Sequence, residues 1–129
     1  MIERRLQEVE LLRKQYGELE HGTSVEWILF KKFKLPLGWD REFTELFVLV
    51  PAGYPSTPPD NFFVPVGFKL ANGQKIDAYT EPHPHIGRQW GQFSYHIIDG
   101  EWRPANNILE GDNLQTFMIK VLDRLKEAN

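Results

Sequence analysis

The chain has 129 residues, 41% hydrophobic and 26% charged, with no cysteine and a formal net charge of -3. That length suits one ordinary globular domain over residues 1–129, with a core drawn from nine Phe, four Trp and four Tyr. The acidic balance excludes a protein that binds nucleic acid duplexes through a concentrated basic face, and the missing thiols exclude disulfides, thiolate metal sites and cysteine nucleophiles.

Apolar side chains at Ile2, Leu6, Val9, Leu12 and Tyr16 recur in steps of three and four, which predicts an amphipathic helix from Ile2 to Tyr16. Its other face carries Glu3, Arg4, Glu8 and Arg13 as a solvated or partner-docking surface, and Gly17 ends it. The start of the chain is charged throughout, unlike a signal peptide, and no stretch approaches the ~20 apolar residues needed to cross a bilayer. The expectation is a cytoplasmic protein with no membrane contact.

After the turn-like "ELEHGTS", the β-branched and aromatic stretch Val25 to Leu35 predicts a strand whose Lys31, Lys32 and Lys34 suit a sheet edge. Phe43 to Val50 predicts a second strand, and its unbroken apolar ending places it at the centre of the sheet. Pro51, Pro55, Pro58 and Pro59 make residues 51 to 60 a stiff extended loop, and Asn61 to Val66 resumes as a strand. Asn72-Gly73 reads as a hairpin signal, and the chain from Glu81 to Phe93 reads as irregular. The stripe Leu114, Phe117, Met118, Val121, Leu122 and Leu125 predicts a closing helix, with Asp112 and Gln115 as its capping pair. The layout is α+β: a helix, an antiparallel four-stranded meander, Pro-rich and irregular loops, then a helix packed across the sheet.

That order, carried by "YPSTPP", "HPHI" and "WRPANNI", resembles the ubiquitin-conjugating enzyme family over nearly the whole chain. Tyr54-Pro55-x-x-Pro58-Pro59 looks like the family's Pro-rich loop, His83-Pro84-His85 stands where the family has His-Pro-Asn, and Trp102-x-Pro104 looks like its Trp-x-Pro before the crossover helix. The resemblance implies a groove that receives the flexible tail of a ubiquitin-like protein. Eight residues before the tryptophan, where the family has its cysteine, this chain has Ser94. His85 replaces the asparagine that helps stabilise the oxyanion, and the family's acidic or polar gate would fall at the end of the chain. The departures are closest to the cysteine-lacking ubiquitin-conjugating-like proteins of bacteria, whose implied partners are a ubiquitin-like protein and an activating enzyme.

A serine hydroxyl needs a base to take its proton during attack, and His83, His85 and His96 lie around Ser94 in the sequence. If residues 94 to 98 are extended, Ser94 and His96 point to one side with Cα atoms ~6 to 7 Å apart, so His96 leads as the base. His85 has an N–H that could serve a developing oxyanion, and His83 is expected to orient the loop. No bound cofactor is implied. Three readings stay open: a Ser94 oxyester carrier, a pseudoenzyme that binds pathway proteins without transfer, and a zinc-dependent hydrolase built on His83, His85, His96 and Glu81.

Overall fold

The computed structural model describes residues 2–127. Helix α1 spans Ile2–Tyr16, strands β1 to β6 span Leu19–His21, Trp27–Lys34, Phe43–Leu49, Phe62–Pro65, Tyr79–His85 and Arg88–Phe93, and helix α2 spans Leu114–Glu127. The strands form one antiparallel sheet in the order β1-β2-β3-β4-β6-β5. The α+β layout with a helix at each end of the order is as the sequence predicts, but the sheet has six strands rather than a four-stranded meander.

Two segments account for the difference. β1 is a three-residue strand inside "ELEHGTS", too short to show a periodicity. The stretch expected to be irregular forms the β5–β6 hairpin, with Tyr79 opposite Phe93 and His85 opposite Arg88. Pro82 and Pro84 mask β5 in the sequence because they cannot donate to a ladder, and β5 tolerates them because it is the edge strand. Asn72-Gly73 forms a tight turn instead of joining two strands: Gly73 has φ 74° and its N–H bonds Leu70 O at 3.0 Å. This excursion folds back onto the 38–40 turn through a bridge between Trp39 and Leu70.

The sheet has two apolar faces. Leu46, Val48, Phe62, Val64 and Phe93 face the helices and join Val9 and Leu12 of α1 and Leu114, Phe117, Met118, Val121 and Leu125 of α2 in the main core. The other face carries a smaller cluster of Leu29, Phe47, Phe63 and Trp90. Phe47 and its neighbours Leu46 and Val48 are thus buried on opposite sides of β3, as expected of a central strand. β1 pairs only with residues 28–30, so β2 is an open edge by Lys32 and Lys34, whose ammonium groups lie over the Phe43 ring.

The inner face of α1 keeps Val9, Leu12 and Tyr16 of the predicted stripe but differs in its first two turns. Ile2 and Leu6 are exposed, whereas Arg5 and Glu8 are buried beside Val9 and Leu12. These charges are tolerated because backbone and side-chain groups satisfy them. Arg5 donates to Val25 O at 3.0 Å and Pro51 O at 2.8 Å, and Glu8 accepts from Tyr54 Oη, Leu114 N and Arg4 Nε at 2.6 to 2.8 Å. The cap of α2 lies one residue later than expected, at Asn113. Asn113 Oδ1 accepts the Thr116 N–H and Thr116 Oγ1 accepts the Asn113 N–H, both at 2.9 Å, a reciprocal box in which Asp112 supports Thr116 from outside.

Candidate functional site

Ser94 follows the last residue of β6 and continues the line of that strand between its two neighbours. Its N–H bonds Ala78 O at 2.8 Å on the β5 side, and the next N–H, of Tyr95, bonds Asn61 Oδ1 at 2.9 Å on the β4 side. Burial then alternates residue by residue: Ser94, His96 and Ile98 are exposed while Tyr95 and Ile97 pack against the main core. This is the side-chain alternation of an extended chain, and it puts Ser94 and His96 on one open face.

The Pro-rich loop walls this segment. Tyr54 is anchored on Glu8, the indole N–H of Trp102 donates to Pro55 O at 2.7 Å, and the Tyr54 and Trp102 rings lie 6.3 Å apart. Burial and the Glu8 carboxylate raise the Tyr54 phenol well above its ordinary range, so it remains a proton donor to Glu8. At the end of the loop Asp60 Oδ2 faces His96 Nδ1 at 3.7 Å, with both side chains exposed to solvent. A cleft of about 390 Å³ opens between the 67–76 excursion and Tyr79, and Ser94 is not among its lining residues.

Of the histidines expected around Ser94, only His96 is near it. His83 lies opposite Trp90 and His85 opposite Arg88, four and six residues back along β6 from Ser94, or ~13 and ~20 Å at strand rise. His83 Nε2 meets Thr80 Oγ1 at 2.8 Å. His85 packs on the Phe47 and Phe63 rings with centroids at 5.5 and 4.6 Å. Its imidazole is pushed below the ordinary histidine range, chiefly by burial and then by His83. Glu81 instead accepts from Tyr79 Oη at 2.6 Å and Gly67 N at 3.2 Å. Among the described residues no three His, Asp or Glu side chains converge as metal ligands, so the zinc reading has no donor set.

The aromatic and charged side chains flanking this segment have structural partners. Trp90 is buried under Arg88, whose guanidinium lies 3.9 Å from its ring centroid and bonds Glu45 at 2.6 Å. Arg103 Nε bonds Gly100 O, and Asp99-Gly100 is a turn closed by Glu101 N to Ile98 O at 3.0 Å. Asp60 and Asn61 were not singled out at all. Their partners are 34 and more residues away, and the only local cue is a polar pair directly after Pro58-Pro59.

A helix, an antiparallel sheet and a closing helix, with a Pro-rich loop walling the segment before Trp102, define the ubiquitin-conjugating-like class. The chain belongs to the prokaryotic E2 family E, whose family model matches residues 3–128. A search of the curated proteins and a search of the solved structures found no match. Membership makes the chain a component of a ubiquitin-like conjugation system, and among the described residues no helix is long and apolar enough to cross a membrane.

Proposed function

We propose that Ser94 is an acyl carrier: it accepts the C-terminal acyl group of a ubiquitin-like protein from an activating enzyme and holds it as an oxyester, in the bacterial cytoplasm. The observation that carries this reading is the exposure of Ser94 on the same open face as His96, eight residues before Trp102, where the resemblance to ubiquitin-conjugating enzymes puts the cysteine. In the transfer, Ser94 Oγ attacks the activated carbonyl carbon and its proton passes to His96. The new C–O bond replaces the bond to the activating enzyme, and that leaving group departs with the electron pair. His83 and His85 have no part in this step; they fix the β5 edge and the second aromatic cluster.

Incubation with ATP, the activating enzyme and the ubiquitin-like protein tests the reading. A hydroxide-labile, thiol-resistant adduct that is absent from Ser94→Ala is expected, and Ser94→Cys converts it to a thiol-labile one. An adduct that persists in Ser94→Ala refutes the carrier role. Equal binding of both partners by wild type and Ser94→Ala, with no adduct from either, establishes the non-catalytic adaptor instead.

A further inference from the structure

Asp60 and Asn61 sit side by side at the entry to β4 and grip two consecutive residues of the Ser94 segment. Asn61 Oδ1 accepts the Tyr95 N–H at 2.9 Å, which fixes the backbone between Ser94 and His96. Because the partner is a donor, the amide oxygen must face Tyr95. Asp60 uses Oδ1 to accept the Asn61 N–H at 2.6 Å, which leaves Oδ2 turned to His96. Pro58 and Pro59, each with a fixed φ, stiffen the chain immediately before this pair.

We propose that Asp60 is a positioning residue for His96, holding the imidazole in the tautomer that makes it a base toward Ser94; this rests on the carrier reading of Ser94. Among the described residues His96 is the one histidine with a carboxylate at ion-pair distance, 3.7 Å from Nδ1. His21 turns Nδ1 to Gly22 O, His83 bonds Thr80, and His85 is packed on aromatic rings. The approach is to Nδ1, and that choice of nitrogen has a chemical consequence. With the proton on Nδ1 and aimed at the carboxylate, the Nε2 lone pair is free to accept a proton. Closing from 3.7 Å to a hydrogen bond of ~2.9 Å needs only rotation of two exposed side chains.

During acylation the Ser94 hydroxyl proton moves to Nε2 as the Oγ–C bond forms, and the imidazolium so produced lies against the Asp60 carboxylate. The proton then leaves to the departing group or to water, and His96 returns to the Nδ1–H form. Asp60 never touches the acyl group and its own protonation does not change. It acts by keeping His96 in the reactive form.

The test reads the tautomer and the reaction separately, on the full chain. Long-range proton–nitrogen spectra of the imidazole rings, recorded well above the histidine titration range, report which nitrogen of His96 bears the proton. Wild type is expected to be mainly Nδ1–H. Asp60→Ala shifts His96 toward Nε2–H and slows adduct formation about tenfold, and Asp60→Asn, whose oxygen stays on the Asn61 N–H so that its NH2 group faces Nδ1, favours Nε2–H and slows the reaction at least as much. Both variants keep the wild-type urea midpoint, since the pair is exposed. A His96 tautomer unchanged in Asp60→Ala, with a normal adduct, overturns this inference alone. No adduct in wild type overturns the carrier reading, and with it the role of Asp60.

Discussion

Replacing Glu8 with Ala removes one acceptor from three donors at once, and the structure sets what that costs. Tyr54 Oη and Leu114 N both donate to Glu8 Oε1, at 2.6 and 2.7 Å, and Arg4 Nε donates to Oε2 at 2.8 Å. Tyr54 is 2% exposed and Leu114 1%, so neither reaches water when the carboxylate is gone. Each buried donor left without a partner costs about 1–3 kcal/mol. Arg4 counts at the low end, because its other nitrogens still bond Ala105 O and Asp112 O. The sum is about 4 kcal/mol, in line with removal of one member of a buried charged pair, and it is a large share of the ~5–15 kcal/mol that stabilises a domain. Urea unfolding followed by tryptophan fluorescence measures it, and with a slope of ~2 kcal/mol per molar the midpoint falls by about 2 M. Tyr54→Phe, which removes one donor and leaves Glu8 its other two, costs only about 1 kcal/mol. A Glu8→Ala protein within about 1 kcal/mol of wild type would show that Glu8 does not tie these elements together.

His85 has its neutral form favoured by burial on Phe47 and Phe63 and then by the neighbouring His83. Its folded-state value lies below the unfolded one, so its contribution to stability is complete above the unfolded value near ~6.5 and is lost as pH falls through the lower folded value. The stability of wild type relative to His85→Phe is therefore expected to drop as pH is lowered through and below the unfolded value in paired urea melts, and a difference that stays constant with pH contradicts this. Gly91→Ala places a Cβ 1.8 Å from the Tyr79 hydroxyl, which is held by Glu81. The ring must move or the β5–β6 hairpin must open, a cost of about 1–3 kcal/mol that Tyr79→Phe in the same chain partly relieves. If thermal unfolding of Gly91→Ala matches wild type, the close approach is absent.

The two helices were legible because their apolar periods run over many residues: Leu114 through Leu125 reports its buried stripe directly. The α1 spacing gave the element, its limits and the inward Val9, Leu12 and Tyr16, but put Ile2 and Leu6 inward where Arg5 and Glu8 are buried instead. No periodicity reveals that Glu8 caps the start of α2, or that Arg5 binds carbonyls at residues 25 and 51. The β5–β6 hairpin was hidden for a related reason: Pro82 and Pro84 argue against a strand unless one already knows that β5 is an edge. At the site, local spacing was enough to put Ser94 and His96 on one exposed face, because i and i+2 on an extended chain share a face. It gave a false cluster for His83 and His85, since a hairpin returns its first strand at a register that only the pairing sets.

The Pro-rich loop links these findings. Read alone, it is a stiff connection between two strands; in the fold it is the wall against which the Ser94 segment is built. Its Tyr54 is held by Glu8 of α1, its Pro55 carbonyl takes the Trp102 indole, and the residues that leave it, Asp60 and Asn61, meet His96 and Tyr95. Glu8 also bonds the first turn of α2. The carboxylate that ties the two helices together therefore also bonds, at Tyr54, the loop beside the candidate site. Pro58 and Pro59, each with a fixed φ, limit the directions in which the chain leaves that loop, and Asp60 and Asn61 follow them directly.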